Sequence, residues 1–219
     1  MKLVQCWDDG VTSDLRLLDL LRAVGAKATF NLNAGLHETG RTLGWMHAGT
    51  EVWRLARGEL HDAYRGFDIA NHSFSHPCLD ALPLDALHRE VEQGRDELQQ
   101  IFGRPVRGFA YPFGRVNDAV AHAVREAGHI YGRTTDAADG PFAPADPLHV
   151  SPHCHFQAPD FWQRLERARP GGVFYFWGHS YEMTTEGDWQ SFSALLDRLN
   201  RGPEANWCHV ADLFEGGTS

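Results

Sequence analysis

The feature that most limits the fold is the order in which two periodicities alternate: short apolar runs and amphipathic helical stretches follow one another from end to end. Residues 3–7 read as a buried strand. Thr12-Ser13-Asp14 then offers helix N-cap chemistry to Leu15, Leu18, Leu21 and Val24, a stripe closed by Gly25. The same reading predicts a strand over 28–32, a helix over 45–56, a short strand over 67–70 and a long helix from Pro83 to Phe102-Gly103. On that long helix Leu84, Leu87, Val91, Leu98 and Ile101 form the inward stripe. Strands over 106–110 and 130–134 flank a helix over 118–127. After a Pro/Asp/Gly-rich loop at 137–147, strands are predicted over 148–151, 173–177 and 207–210, and helices over 160–168 and 189–199. Strands separated by helices pair in parallel, because the crossover returns the chain to the same end of the sheet. Seven or eight such units predict an α/β fold: a distorted (β/α) barrel of mainly parallel strands.

Nothing in the 219 residues resembles a linker, so one domain spanning 1–219 is expected, with the tail from Glu215 to Ser219 lacking order. Apolar residues make up 42 % of the chain, ample for a core. A formal charge of −9 excludes a nucleic-acid backbone as the natural partner, since that affinity comes from Lys and Arg neutralising phosphates. It disfavours anionic membranes equally, and no segment reaches the ~18 apolar residues of a membrane span. Met1-Lys2 leads directly into the first strand without a signal-peptide pattern, so the cytoplasm is the expected compartment; a trimmed secreted chain would read the same. Cys6, Cys78, Cys154 and Cys208 are scattered and fit reduced thiols.

Two sets of residues carry chemistry. Asp8 and Asp9 end the first strand, where successive side chains alternate, so one can hold a cation while its neighbour faces the ligand. His72 and His76 follow a predicted strand four residues apart, the spacing at which a helical turn brings two imidazoles onto one ion. With Asp9 they make three protein ligands and leave a position for water, the arrangement of catalytic zinc sites. Each set alone has a plain alternative: adjacent aspartates often form a turn or cap, and thirteen histidines make a chance pair common. Both sets, however, fall at the carboxyl ends of predicted parallel strands, where barrels build active sites. A metal hydrolase is the expectation.

Four segments extend that expectation. Trp7-Asp8-Asp9-Gly10, His72-Ser73-Phe74-Ser75-His76-Pro77, Phe109-Ala110-Tyr111-Pro112-Phe113-Gly114 and Trp177-Gly178-His179 resemble motifs one, two, three and five of the polysaccharide deacetylases, the NodB-homology or carbohydrate esterase family 4 enzymes. The resemblance runs from residue 3 to about 212 and implies the NodB-like distorted barrel. It implies that Asp9, His72 and His76 hold one divalent ion, usually zinc, with cobalt, nickel, manganese or iron acceptable to the same donors. It makes Asp8 the general base for attack by metal-bound water and His179 the acid that protonates the leaving amine. Tyr111 and Phe113 are implied at the oxyanion and substrate side, and Trp177 stands where the family has a leucine lining the acetyl methyl pocket.

The chain also departs from that pattern, as an atypical member. Ala110 stands where motif three carries an arginine that pairs with the base aspartate; Arg107, Arg115 and Arg133 are nearby, and Arg133, at a strand end, is the expected replacement. The fourth motif, which tunes the acid histidine, is matched at best by Asp136 and Asp139. His153 and His155, flanking Cys154, read as incidental loop histidines, with a place at the substrate cleft or a second ion as the alternative. The expected partner is an acetylated sugar or small amide, with neither nucleic acid nor membrane, and the oligomeric state is left open. Two rivals are a hydrolase of another C–N bond, in a formamide or cyclic ureide, and a catalytically silent barrel that only binds glycan.

Overall fold

A computed structural model describes residues 1–202 and 205–215; the rest of the tail expected to lack order lies outside the described residues. Strand β1 (Lys2–Asp8) leads into α1 (Asp14–Ala23), β2 (Thr29–Leu32), the pair β3 (Thr42–His47) and β4 (Thr50–Arg54), α2 (Arg57–Ala63), β5 (Asp68–Asn71) and α3 (Leu84–Phe102). The second half runs β6 (Gly108–Ala110), α4 (Asp118–Glu126), β7 (Tyr131–Arg133), β8 (Cys154–His155), α5 (Phe161–Ala168), β9 (Val173–Gly178), α6 (Glu186–Asn200) and β10 (Asn206–Cys208).

Seven parallel strands in the order β7-β6-β5-β2-β1-β9-β8 curl into a distorted half-barrel, the α/β architecture expected from the alternation. β10 pairs with Lys2–Val4 of β1, on the edge that β2 occupies from Cys6 onward. The gap between β7 and β8 is bridged by the segment leading into β8. There the Val150 N–H donates to Gly132 at 2.8 Å and the Thr134 N–H to Val150 at 2.9 Å, before Cys154 and His155 pair with β9. The strand predicted over 148–151 thus shrinks to a single bridge at Val150. Pro147 and Pro152 flank it, and neither can donate to a ladder.

The pleat sorts each strand into two environments. Leu3 and Trp7 of β1, Phe30 of β2 and Phe174 and Phe176 of β9 face the helices, while Val4 and Cys6 of β1, Tyr131 of β7 and Tyr175 of β9 face the barrel interior. The same count of two puts Asp8 on the interior side of β1, Asn31 on that of β2, Arg133 on that of β7 and Trp177 on that of β9. Buried aromatic and aliphatic side chains on both faces hold the strands, so side chains at their carboxyl ends are presented by a packed frame.

Two expectations fail. Residues 45–56, read as a helix, form the β3–β4 hairpin, and helix α2 begins only at Arg57. Ala48 and Gly49 both have positive φ, 47° and 81°, which gives the two-residue turn that matches strand twist, and Trp45–Val52 and Leu43–Trp53 then pair across the strands. The spacing of the apolar residues fitted a helix by coincidence. Leu84, assigned to the buried stripe of α3, is 63 % exposed in the first turn, whereas Leu87, Val91 and Leu98 are buried.

Candidate active site

The carboxyl ends of β1, β5, β6, β7 and β9 surround a cleft of about 510 Å³, lined by Asp8, Asp9, His72, His76, Phe113, Trp177 and His179 and also by Tyr111, Thr135 and Tyr181. At its floor Asp8 is 2 % exposed. Arg133 reaches across from β7 and places one guanidinium nitrogen 2.6 Å from each Asp8 oxygen, while Asn31 donates to Oδ1 at 2.6 Å. Burial alone would raise the Asp8 carboxyl, but the Arg133 charge above all, with that of His179 and the Asn31 hydrogen bond, holds it well below the usual carboxylate range. Arg133 is itself 1 % exposed and lies over the Trp177 ring, 5.1 Å from its centroid. Register explains the exchange of positions: Ala110 of β6 and Arg133 of β7 are direct partners, so the cation expected at 110 has moved one strand along the same rung. The replacement anticipated from the sequence is where the structure has it.

Asp9 ends the strand abruptly. Its φ of 84° is left-handed and is followed by Gly10 at 69°, where any Cβ would strike the His37 ring at 2.7 Å. Arg54 from the hairpin donates to the Asp9 carbonyl at 2.9 Å and fixes this turn. The carboxylate then faces His76, whose Nε2 is 3.9 Å from Asp9 Oδ1. His72 and His76 are not on a helix, as their spacing suggested; they lie in a loop in which Ser73 and His76 have φ of 64° and 60°. The loop closes on itself through the Ser73 hydroxyl, which accepts the His76 N–H at 2.9 Å, and the two rings meet edge to face at 4.7 Å.

The donor set fits a divalent ion. One ligand atom from each of Asp9, His72 and His76 lies within 4.8 Å of the others. His72 Nδ1–H donates to the Ala110 carbonyl at 2.7 Å, which fixes the tautomer and leaves the Nε2 lone pair towards the cleft, the usual support of a metal-binding imidazole. Burial lowers His72 to about 4 and lowers His76 as well, so both rings are neutral at physiological pH, the form that binds metal.

Opposite this triad stands His179, on the turn that follows β9. Its Nε2 is 3.8 Å from Asp8 and 4.0 Å from Asp9. Burial would lower its pKa, but the contact with Glu182 and the charges of Asp8 and Asp9 raise it, which favours the protonated ring. Glu182 is the site residue that sequence reasoning missed. One of its oxygens is 3.3 Å from His179 Nδ1, and the other accepts the His179 N–H at 3.1 Å and His155 Nε2–H at 2.7 Å. Burial would raise the Glu182 carboxyl, but His155 and His179 bring it down to about 2. Its signal was the i, i+3 spacing from His179. The motif-four candidates are elsewhere: Asp136 is exposed, and Asp139 is exposed and pairs with Arg167 at 2.5 Å.

The remaining expected residues divide. Phe113, with φ of 58°, is 57 % exposed and packs edge-on against His76 at 4.6 Å, and Trp177 borders the cleft beside His179. Tyr111 contributes little of its ring to the opening: it is wholly buried, and its hydroxyl donates to the Leu148 carbonyl at 2.9 Å, pinning the turn that carries Phe113. His153, read as incidental, is buried and bonds the Tyr175 N–H and the Gly140 carbonyl, and His155 bonds Glu182.

Fold and cleft together give a strand-end site whose donors can hold a divalent ion. A family model described as polysaccharide deacetylase matches residues 2–132, and the chain belongs to that family. No curated protein matches the sequence. Among solved structures, the Xyl-CE4 domain of a multidomain xylanase from the hindgut metagenome of Trinervitermes trinervoides is 18 % identical with a TM-score of 0.62, over 98 % of this chain and 89 % of that one. A family 4 carbohydrate esterase from Streptomyces lividans, solved with acetate, is 16 % identical with a TM-score of 0.62, over 94 % and 91 %. The Streptococcus pyogenes deacetylase PplD, also solved with acetate, is 23 % identical with a TM-score of 0.55 over 67 % of this chain and 61 % of its own, so the chain spans less than two thirds of that protein. At these identities the likeness establishes the NodB-like fold.

Proposed function

We propose that this chain is a metal-dependent hydrolase that removes an N-acetyl or related acyl group from a carbohydrate, with residues 1–219 acting as one catalytic domain. The observation that carries the reading is convergence: the Asp9, His72 and His76 donors meet in one cleft, with Asp8 and His179 both within 4.0 Å of that set. Asp9, His72 and His76 would hold the ion, zinc in the first instance. Such an ion, when bound, polarises the acyl carbonyl and increases the acidity of water. Asp8, kept ionised by Arg133, takes the proton of the attacking water. His179, whose protonated form is favoured beside two carboxylates, delivers a proton to the amine nitrogen as the C–N bond breaks. The backbone N–H of Phe113 would serve the developing oxyanion, with Tyr111 anchoring that turn from the core and Trp177 bordering the acyl group.

The test is a zinc-reconstituted screen of acetylated mono- and oligosaccharides, with a formamide and a cyclic ureide included, run beside Asp8→Asn. The reading expects acetate release and a loss of about 10²–10⁴-fold in the variant with zinc stoichiometry unchanged. Stoichiometric zinc with no acetamide cleaved would overturn it in favour of the glycan-binding barrel, and turnover of the formamide or ureide alone would redirect it to another C–N bond.

A further inference from the structure

We propose that Glu182 is the positioning residue of His179 and that His155 completes the unit, a carboxylate clamped between two imidazoles. The proposal rests on the reading of His179 as the acid. The three side chains are half-buried, at 18–25 % exposure, and His179 is the one of them that lines the cleft. Glu182 spends both oxygens on this unit: one lies 3.3 Å from His179 Nδ1, an ion-pair contact without hydrogen-bond alignment, and the other accepts the His179 backbone N–H at 3.1 Å and His155 Nε2–H at 2.7 Å. The tautomer of His155 follows from its other nitrogen, which accepts the Gln157 N–H at 3.3 Å; Nε2 therefore carries the hydrogen given to Glu182. His155 rides on β8, so the far end of the unit is tied to the sheet. The near end is tied as well, because Ser180 donates to the buried Asp14 at the start of α1 and its Oγ lies 2.8 Å from that of Ser13. The turn Ser180–Glu182 is therefore held at both ends, and His179 can present only Nε2 to the space beside Asp8 and Asp9.

The consequence is a defined proton path. Water adds to the acyl carbon and gives its proton to Asp8. When the C–N bond breaks, its electron pair stays on nitrogen and takes the proton from His179 Nε2. Nδ1 keeps its hydrogen towards Glu182, so the ring ends neutral and in one tautomer; the products are the carboxylic acid and the amine, and the proton held by Asp8 returns through solvent to His179 Nε2 before the next turnover. Without Glu182 the neutral ring is free to carry its hydrogen on either nitrogen, and the acid is misplaced for part of the time.

A general acid matters only when the leaving group needs a proton, and that separates positioning from mere structure. With zinc-reconstituted protein, Glu182→Gln should lower kcat on tetra-N-acetylchitotetraose about 10–100-fold with KM within about threefold. Hydrolysis of 4-nitrophenyl acetate, whose leaving group departs as an anion, should stay within about threefold, and Glu182→Asp should recover part of the amide rate. His155→Gln should give the same pattern in smaller measure. Equal loss on amide and ester, or no loss on either, overturns the proposal. A readout independent of turnover is the ¹⁵N spectrum of the histidine rings, taken at a pH where His179 is neutral: the Nδ1–H form of His179 should dominate in the wild type and give way to mixed tautomers in Glu182→Gln, and an unchanged spectrum refutes positioning. If the wild type cleaves neither probe, the functional reading fails while this spectrum still decides the present one. Two zinc equivalents per chain, with one lost in Glu182→Gln, would also overturn it, because His155, His179 and Glu182 would then be ion ligands.

Discussion

Two aspartates six residues apart, both sealed from solvent, have opposite electrostatic fates. Asp8 meets a guanidinium and an amide, and its carboxyl is held well below the usual range despite burial. Asp14 meets only neutral donors, the hydroxyls of Ser180 and Tyr64 and the Val11 N–H, and burial raises it to about 7. The difference teaches that burial by itself favours the neutral acid, and that a full positive charge is what keeps a sealed carboxylate ionised. The proposed base therefore depends on a residue 125 positions away in sequence. The carboxylate at the root of α1 serves as a hydrogen-bonded rivet between that helix, Tyr64 and the turn after His179.

The largest effect should come from making Asp8 resemble Asp14. Arg133→Ala leaves a buried carboxylate without its cation, and a loss of about 3–5 kcal/mol in urea denaturation is expected, together with loss of activity. Adding Ala110→Arg to that background should recover part of both, since positions 110 and 133 share a rung. No recovery would mean that the rung alone does not decide the pairing. Asp9 supplies a third case, a carboxylate whose partner is proposed to come from outside the chain. Zinc at about 100 times its Kd should then raise unfolding stability by about 2.7 kcal/mol, and His76→Ala should abolish most of that gain in a thermal-shift titration.

The pH dependence separates the two aspartates by sign. Asp14 has a folded pKa raised above its unfolded value, so its contribution is fully present below about 4 and is lost as pH rises through about 7. Asp8 is depressed, so its contribution is present above the unfolded value and is lost only as the solution becomes strongly acid. Between about pH 4 and 7, Asp14→Asn should remove a slope approaching 1.4 kcal/mol per pH unit, read from denaturant midpoints across that window. An unaltered slope would show that Asp14 stays ionised and that hydroxyls suffice. The smallest effect belongs to Ser180→Ala, which takes one donor from Asp14 and should cost about 1 kcal/mol. That variant should also loosen the turn bearing His179, visible as altered ring resonances at unchanged zinc content.

Much of the frame was legible. The alternation of apolar runs and amphipathic helices was enough to predict a parallel α/β barrel, because each period is enforced by one buried face. The hairpin was misread because Trp45, Val52 and Ala56 happen to suit a helical stripe, and only the left-handed Ala48-Gly49 turn distinguishes the two. For the site, Asp8, Asp9, His72 and His76 were marked by type and position at strand ends, and His179 by the resemblance of Trp177-Gly178-His179 to motif five, as was Arg133 by the gap at Ala110. Glu182 carries no motif of its own, and the acidic pair nearest the fourth-motif pattern, Asp136 and Asp139, lies exposed on the surface.

By itself, then, the sequence determined which side chains share the interior of the barrel, since the pleat alternates strictly and a shift of one residue would expose the core. It also determined which chemistry those side chains can perform. Register and turn geometry belonged to the tertiary structure alone: the rung that joins Ala110 to Arg133, the left-handed residues that turn His72 and His76 towards Asp9, and the contact of His155 with Glu182. These depend on hydrogen bonds between segments far apart in the chain, and no local periodicity records such partners.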